Sequence, residues 1–298
     1  MLRYFAFPTF AMMAACASAP VQVAAVPTIE QLWIADGFAA PESLVRAPDG
    51  NFLVSNVGID DGDAKNGDGF ISKISPDGQL IEKYWAAKVN GPKGLAIQDG
   101  KLYASDIDVV MVFDVDKGGL GKKIPVDGAV FLNGVSAWNG AVYVSDSGTG
   151  GIHRITDGAA TLWLEDARFG GINGVLGDGD QLLVSTMDTG SLYAVTADGM
   201  ITEIASGMID ADGIGLVPGG GYLVSSWTGQ VHYVAEDGTV TTLLDTTGDA
   251  TPILQNDLKI FGDTVIVPNW QPGTVTAWKV ARPDRVDKGQ VRTGADAR

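Results

Sequence analysis

The feature that most restricts what this chain can fold into is a repeat of about forty residues, a period typical of solenoids, propellers and arrays. Asn173 to Thr196 reads NGVLGDGDQLLVSTMDTGSLYAVT. It holds an Asn-Gly corner, a short apolar run, a Gly/Asp turn, the strand Leu182-Leu183-Val184-Ser185 and a second strand from Ser191 to Val195. The same phrase stands earlier as Asn133-Gly134, a turn at Asn139-Gly140, and Val142-Tyr143-Val144-Ser145. It stands later as Asp212-Gly213, the Gly219-Gly220-Gly221 turn, and Tyr222-Leu223-Val224-Ser225. In register there are six copies, marked on the strand after each turn by Ser55, Ser105, Ser145, Ser185, Ser225 and Pro268, at steps of 50, 40, 40, 40 and 43 residues. A second marker at the head of each copy keeps step with the first: Glu42, Lys93, Asn133, Asn173, Asp212 and Asp257.

Each copy accommodates four antiparallel strands, with hairpin turns at Asp77-Gly78, Asp157-Gly158, Asp198-Gly199 and Asp237-Gly238. The last copy supplies only three, near Asp257–Phe261, Thr264–Pro268 and Thr274–Val280, while Thr28 to Ala35 (TIEQLWIA) reads as a strand ahead of the first copy. Pairing the early strand with the last copy closes a ring and removes the unpaired edges of an open array. The expected fold is therefore all-β, a six-bladed β-propeller over residues 28–281 closed by its N-terminal strand. With 298 residues and 40 glycines, the chain has both the length for one such domain and the residues its turns require.

Outside the repeats the chain changes character. Residues 1–25 read as an export segment, with Arg3 as the sole charge and an apolar run from Tyr4 to Ala15 too short to span a bilayer. Met13-Ala14-Ala15-Cys16 resembles a lipoprotein signal with Cys16 lipidated, the one route to membrane attachment. Cleavage after Val23-Ala24-Ala25 would instead release a soluble periplasmic protein. Cys16 is the only cysteine, so no intramolecular disulfide forms. Residues 282–298 are polar and read as a disordered tail. The formal charge of −16 argues against nucleic acid as a partner, and against an anionic membrane surface.

Successive strands reverse direction, so the start of strand one and the end of strand two share one face. One mouth of the channel is then ringed by Glu42, Lys93, Asn133, Asn173, Asp212 and Asp257, with Asn56, Asp106, Asp146, Thr186 and Asn269 behind them. Asn-Gly and Asp-Gly corners also arise simply as turn formers. Converging carboxylates have a different consequence, since two of them about 4 Å apart repel by roughly 4 kcal/mol at an effective dielectric of about 20. A divalent cation would relieve this, and an all-oxygen donor set suits calcium or magnesium over zinc or copper.

These residues resemble the regucalcin/gluconolactonase family of six-bladed propellers, over most of residues 30 to 280. The family's metal-binding Glu of blade one is matched by Glu42 in Pro41-Glu42-Ser43, its blade-four corner by Asn173-Gly174, and its blade-five corner by Asp212-Gly213. A substrate-facing Asn of blade three is matched by Asn133. Where the family often carries an Arg two residues before that Asn, this chain has Phe131; Ile172 and Ala211 replace its usual prolines, and Lys93 is an addition. The resemblance implies calcium, or another divalent cation, held by Glu42, Asn173 and Asp212. It also implies Asp212 as the base that activates water and Asn133 as the residue that orients a small-molecule substrate. Lys93, Trp227 and Trp270, the last two just past second strands, are expected to line the substrate pocket, with packing between blades the equal alternative for the two tryptophans. The function implied is hydrolysis of lactones or related esters. The alternative is a non-catalytic exported propeller that binds a small ligand or a protein partner.

Other chemistry is missing from the sequence. It has no Gly-x-Ser-x-Gly elbow, no His-Glu-x-x-His and no phosphate-binding loop. The acidic run from Asp60 to Gly69 fails as an EF-hand, because Lys65 and Asn66 stand where a ligand and a glycine are needed; it is expected to form a solvated loop at the mouth, the alternative being a lid. His153 and His232 fall on third strands, away from the ring, and are expected to be surface or inter-blade residues.

Overall fold

The computed structural model describes residues 25–59 and 62–282. The export segment with Cys16, the tail beyond Arg282, and Asp60 and Asp61 of the acidic run lie outside the described residues. Six antiparallel sheets form six propeller blades. Blade one runs through Pro41–Arg46, Phe52–Asn56, Gly69–Ile74 and Leu80–Val89, and blades two to five repeat this four-strand order. Blade six is built from Leu254–Gln255, Lys259–Phe261, Thr264–Gln271 and Thr274–Ala281, with Thr28–Ala35 as its outermost strand. That strand pairs antiparallel with Thr274–Ala281, from Thr28 opposite Ala281 to Ala35 opposite Val275, so the ring closes through the early strand as expected.

Inner strands such as Phe52–Asn56 and Ala141–Asp146 are buried along their whole length, so every blade has two faces to cover, and the neighbouring blade covers them. Ala96, Val110 and Ile124 of blade two pack with Leu132, Val135 and Val142 of blade three. Leu44, Phe52 and Val54 of blade one pack with Ile266, Val275 and Ala277 of blade six, so the closing joint has an apolar core of its own. Burying each Leu or Val side chain contributes about 1.5–3 kcal/mol.

The serine marker acts as a fastener between blades. The hydroxyls of Ser55, Ser105, Ser145, Ser185 and Ser225 donate to the carbonyls of Lys93, Asn133, Asn173, Asp212 and Asn256, each the head residue of the next blade. The oxygens of Ser55, Ser185 and Ser225 also accept an amide of their own blade's first strand. A buried carbonyl left without such a donor would cost about 1–3 kcal/mol. Pro268 has no hydroxyl, so the joint from blade six to blade one lacks this fastener.

The Asn-Gly and Asp-Gly pairs at the heads of the copies are not turns. Asn133-Gly134 lies within the strand Leu132–Trp138 and Asn173-Gly174 within Ile172–Asp178. A Cβ added at Gly174 would stand 2.3 Å from the carbonyl oxygen of Asp212, and one at Gly134 would stand 2.5 Å from that of Asn173. The glycines are needed because inner strands of adjacent blades nearly touch.

Candidate functional site

The first strand of each of blades one to five carries a register irregularity at its head residue, for example between Pro41 and Leu44 and between Ala211 and Ile214. Bulges of this kind re-aim a side chain. Here Glu42, Lys93, Asn133, Asn173 and Asp212 all line one cavity of about 250 Å³ at the channel mouth. That is just under the roughly 300–1,000 Å³ usual for pockets of drug-sized ligands, so the space suits a small molecule. Gly62, Phe131, Met187, Trp227, Asn256 and Trp270 complete the lining.

The floor is polar and almost fully buried. Glu42 and Asp212 are 4% and 1% exposed. One Asp212 oxygen accepts the Asn173 amide at 2.8 Å, while Oδ1 has no partner. Glu42 Oε2 and Asn133 Oδ1 are likewise buried without a partner, the amide of Asn133 being donated to Ser147 Oγ at 3.2 Å. Burial, then the charge of Asp257, pushes the Glu42 carboxyl up to about 8 against the pull of Lys93 and Lys259. Burial, then the charges of Glu42 and Asp257, raises Asp212 well above the usual carboxylate range. Unpartnered buried oxygens and carboxyls held off ionisation, first by burial and then by neighbouring charge, are the electrostatic opposite of a finished site, and a hard cation would satisfy both. Among the described residues no three Asp, Glu, His or Cys side chains converge. A cation here would therefore take two carboxylates and complete its shell with amide oxygens and water, which the flexible coordination of calcium permits.

Lys93 is in the cavity but engaged. Its ammonium donates to the carbonyls of Gly62 at 2.6 Å and Gly91 at 3.2 Å and stands 4.1 Å from the centroid of the Phe131 ring. Burial pushes it down to about 8, opposed by the charges of Glu42, Asp106 and Asp63. The wall above the floor is apolar. Trp227 and Trp270 meet edge to face with ring centroids 5.2 Å apart, and Phe131 and Met187 continue the surface.

Blade six departs from the expected ring. Asn256, not Asp257, occupies its lining position, with its carbonyl on Ser225 and its amide donated to Pro41 O at 2.7 Å. Asp257 turns aside to accept Ser43 Oγ at 2.6 Å and Lys259 Nζ at 3.0 Å. Spacing could have found this. The head residue precedes the marker by 12 or 13 positions in blades one to five, and 12 back from Pro268 is Asn256. The wall had its own signal, since Met187, Trp227 and Trp270 each stand two residues past a marker.

The second row proves to be bracing. Asn56 Oδ1 accepts the Ala39 amide at 3.1 Å, Asp106 accepts the amides of Asn90 and Gly91, and Asp146 accepts those of Val130 and Phe131. These residues hold the loops that lead to the ring and do not line the cavity. His153 and His232 are on third strands, as expected, but both are buried and neither lines the cavity; His232 Nδ1 lies 3.1 Å from Thr242 Oγ1.

The chain matches no protein-family model and no curated protein by sequence. Its fold has many solved relatives. A gluconolactonase from Xanthomonas campestris superposes with a TM-score of 0.63 at 15% identity, covering 89% of this chain and 99% of that one. The virginiamycin B lyase of Staphylococcus aureus gives 0.63 at 12% identity, covering 86% of this chain and all of the other. A PQQ-bound aldose sugar dehydrogenase from Streptomyces coelicolor gives 0.62 at 15%, covering 87% and 100%. Relatives this distant and this varied establish the propeller. The chemistry has to be argued from the site.

Proposed function

We propose that this protein is a calcium-dependent hydrolase of lactones or related esters, with Glu42, Asp212 and an amide oxygen of Asn173 holding the cation. One observation carries the reading: Glu42 and Asp212, 170 residues apart in sequence, bring buried oxygens without partners to the floor of a single ligand-sized cavity. The bound cation would act as a Lewis acid on the substrate carbonyl. Asp212 is the base: one of its oxygens is fixed by Asn173, leaving Oδ1 free to take a proton from the water that adds to the carbonyl carbon. The same oxygen can return that proton to the ring oxygen as the C–O bond breaks, giving the open hydroxy acid. Asn133, its amide tied to Ser147, presents Oδ1 to orient the substrate.

A lyase reading has less support. The virginiamycin B lyase is catalytically inactive when one histidine is replaced by alanine. Neither histidine of this chain lines the cavity. Hydrolysis of δ-valerolactone, followed by proton release with calcium, with chelator, and after calcium is restored, tests the proposal. The expected result is turnover that chelation abolishes and calcium rescues. Calcium uptake with no turnover of any lactone would leave a ligand-binding propeller instead.

A further inference from the structure

The cavity divides by chemistry, and the division restricts what enters it. Every polar side chain on the lining apart from Lys93 belongs to the floor: Glu42, Asn133, Asn173, Asp212 and Asn256. The three amide groups on that floor have already given their donors away, to Ser147, Asp212 and Pro41. The upper wall is Phe131, Met187 and the Trp227–Trp270 pair. Outside it, the exposed apolar side chains Ile59, Val130 and Ile209 stand on segments at the same face, just after a second strand or just before a first strand. A polyhydroxylated ring would have to strip its hydroxyls of water against indole and phenyl surfaces, with no polar side chain among the described residues there to replace it.

Charge narrows the class further. Among the described residues Lys93 is the one cationic side chain on the lining, and two carbonyls and the Phe131 ring already engage its ammonium. An anionic substituent would have to compete with those contacts, since carbonyls already take two of the ammonium's three N–H groups. Gly62 is part of the same packing, since a Cβ there would lie 3.4 Å from the Lys93 stem and 3.6 Å from the Trp270 ring. Lys93 therefore holds the wall together and is not a receptor for an anion.

We propose that the substrate is a neutral lactone or ester with an apolar arm, which lies along the Trp227–Trp270–Phe131–Met187 wall while its carbonyl meets the Glu42/Asp212 floor. This rests on the hydrolase reading above and specifies the substrate that reading leaves open. The wall acts as a specificity device, because each methylene seated on it adds binding that a bare ring lacks.

Three six-membered lactones separate the terms: δ-valerolactone with no arm, δ-decalactone with a pentyl arm, and δ-gluconolactone with hydroxyls. With calcium present, kcat/KM for δ-decalactone should exceed that for δ-valerolactone by about tenfold or more, the discrimination an apolar pocket gives for extra methylenes. It should exceed that for δ-gluconolactone by a wider margin still. Trp270→Ala should lower turnover of δ-decalactone more than that of δ-valerolactone and so compress their ratio. Hydrolysis of δ-gluconolactone as fast as δ-decalactone would overturn the proposal and leave the hydrolase standing. If no lactone turns over, the hydrolase reading fails, and indole fluorescence then decides the ligand class. Quenching by δ-decalactone at concentrations where δ-gluconolactone has no effect, weakened in Trp270→Ala, supports an apolar ligand; equal response to both overturns it.

Discussion

Asp212 and Asp68 are both carboxylates at the mouth end of the propeller, and their surroundings are opposite. Asp68 belongs to the acidic loop, where Oδ2 accepts the Ile59 amide at 3.0 Å and its own amide donates to Asn66 Oδ1. Its charge serves the loop that carries it. Asp212 is almost fully buried, has one oxygen without a partner, and stands near a second buried carboxylate from a distant part of the chain. In sequence the loop is much the denser in acid. The lesson is that acid density along a chain marks solvated loops as readily as sites, whereas convergence of buried charge across blades has a cost that a bound proton or a ligand has to offset.

The largest effect separating the two regions is expected on the floor. At calcium near 100 times its Kd, the unmutated protein should gain about 2.7 kcal/mol of stability by mass action on the folded state. Glu42→Gln should gain almost nothing. Thermal melts with and without calcium check this, and an equal gain in both proteins would place the cation elsewhere.

Next comes pH. Without calcium, the folded-state pKa of Glu42 is raised from 4.5 to about 8, and that of Asp212 is raised too. Between these values the folded protein holds a proton that the unfolded chain has lost, so stability falls as pH rises through about 4.5 to 8. Lys93, pushed down from 10.5 to about 8, has the opposite sign: above 8 the unfolded chain binds the extra proton, and stability recovers toward 10.5. Melting temperatures across pH 5–10 in chelator should trace this fall and recovery, and calcium should flatten the falling limb. A stability that rises steadily from pH 5 to 8 in chelator would show that the floor carboxylates are ionised without help.

A smaller effect belongs to the fasteners. Ser185→Ala removes the donor to the Asp212 carbonyl and the acceptor for the Gly174 amide. It should cost about 1–3 kcal/mol in denaturant unfolding, as for any buried polar group left unpaired. The smallest effect is Asp68→Asn. The amide oxygen can still accept from Ile59, so stability and its calcium response should stay within about 0.5 kcal/mol of the unmutated protein.

Much of this arrangement was legible in the repeat. Ser55, Ser105, Ser145, Ser185 and Ser225 set the phase because one hydroxyl does the same job at five joints, and a job repeated in space is repeated in sequence. Glu42, Asn173 and Asp212 followed from that phase. Blade six was misread because its inner strand is broken into Leu254–Gln255 and Lys259–Phe261, and its marker is Pro268. Asp257 drew notice as a carboxylate, although the spacing favoured Asn256. The engagement of Lys93 could not be read at all, since its partners Gly62 and Gly91 contribute only carbonyls, which leave no trace in residue type. The Asn-Gly pairs misled for a related reason: the glycine answers to a neighbouring blade's backbone and not to a local turn.

The most direct test of the account is calorimetric titration of calcium into the unmutated protein, Asp212→Asn and Asp68→Asn. The account predicts one site in the unmutated protein and in Asp68→Asn. In Asp212→Asn the affinity should fall by about a hundredfold or more, corresponding to roughly 2.7 kcal/mol at 1.36 kcal/mol per tenfold. Calcium binding by Asp212→Asn as tight as that of the unmutated protein would contradict it.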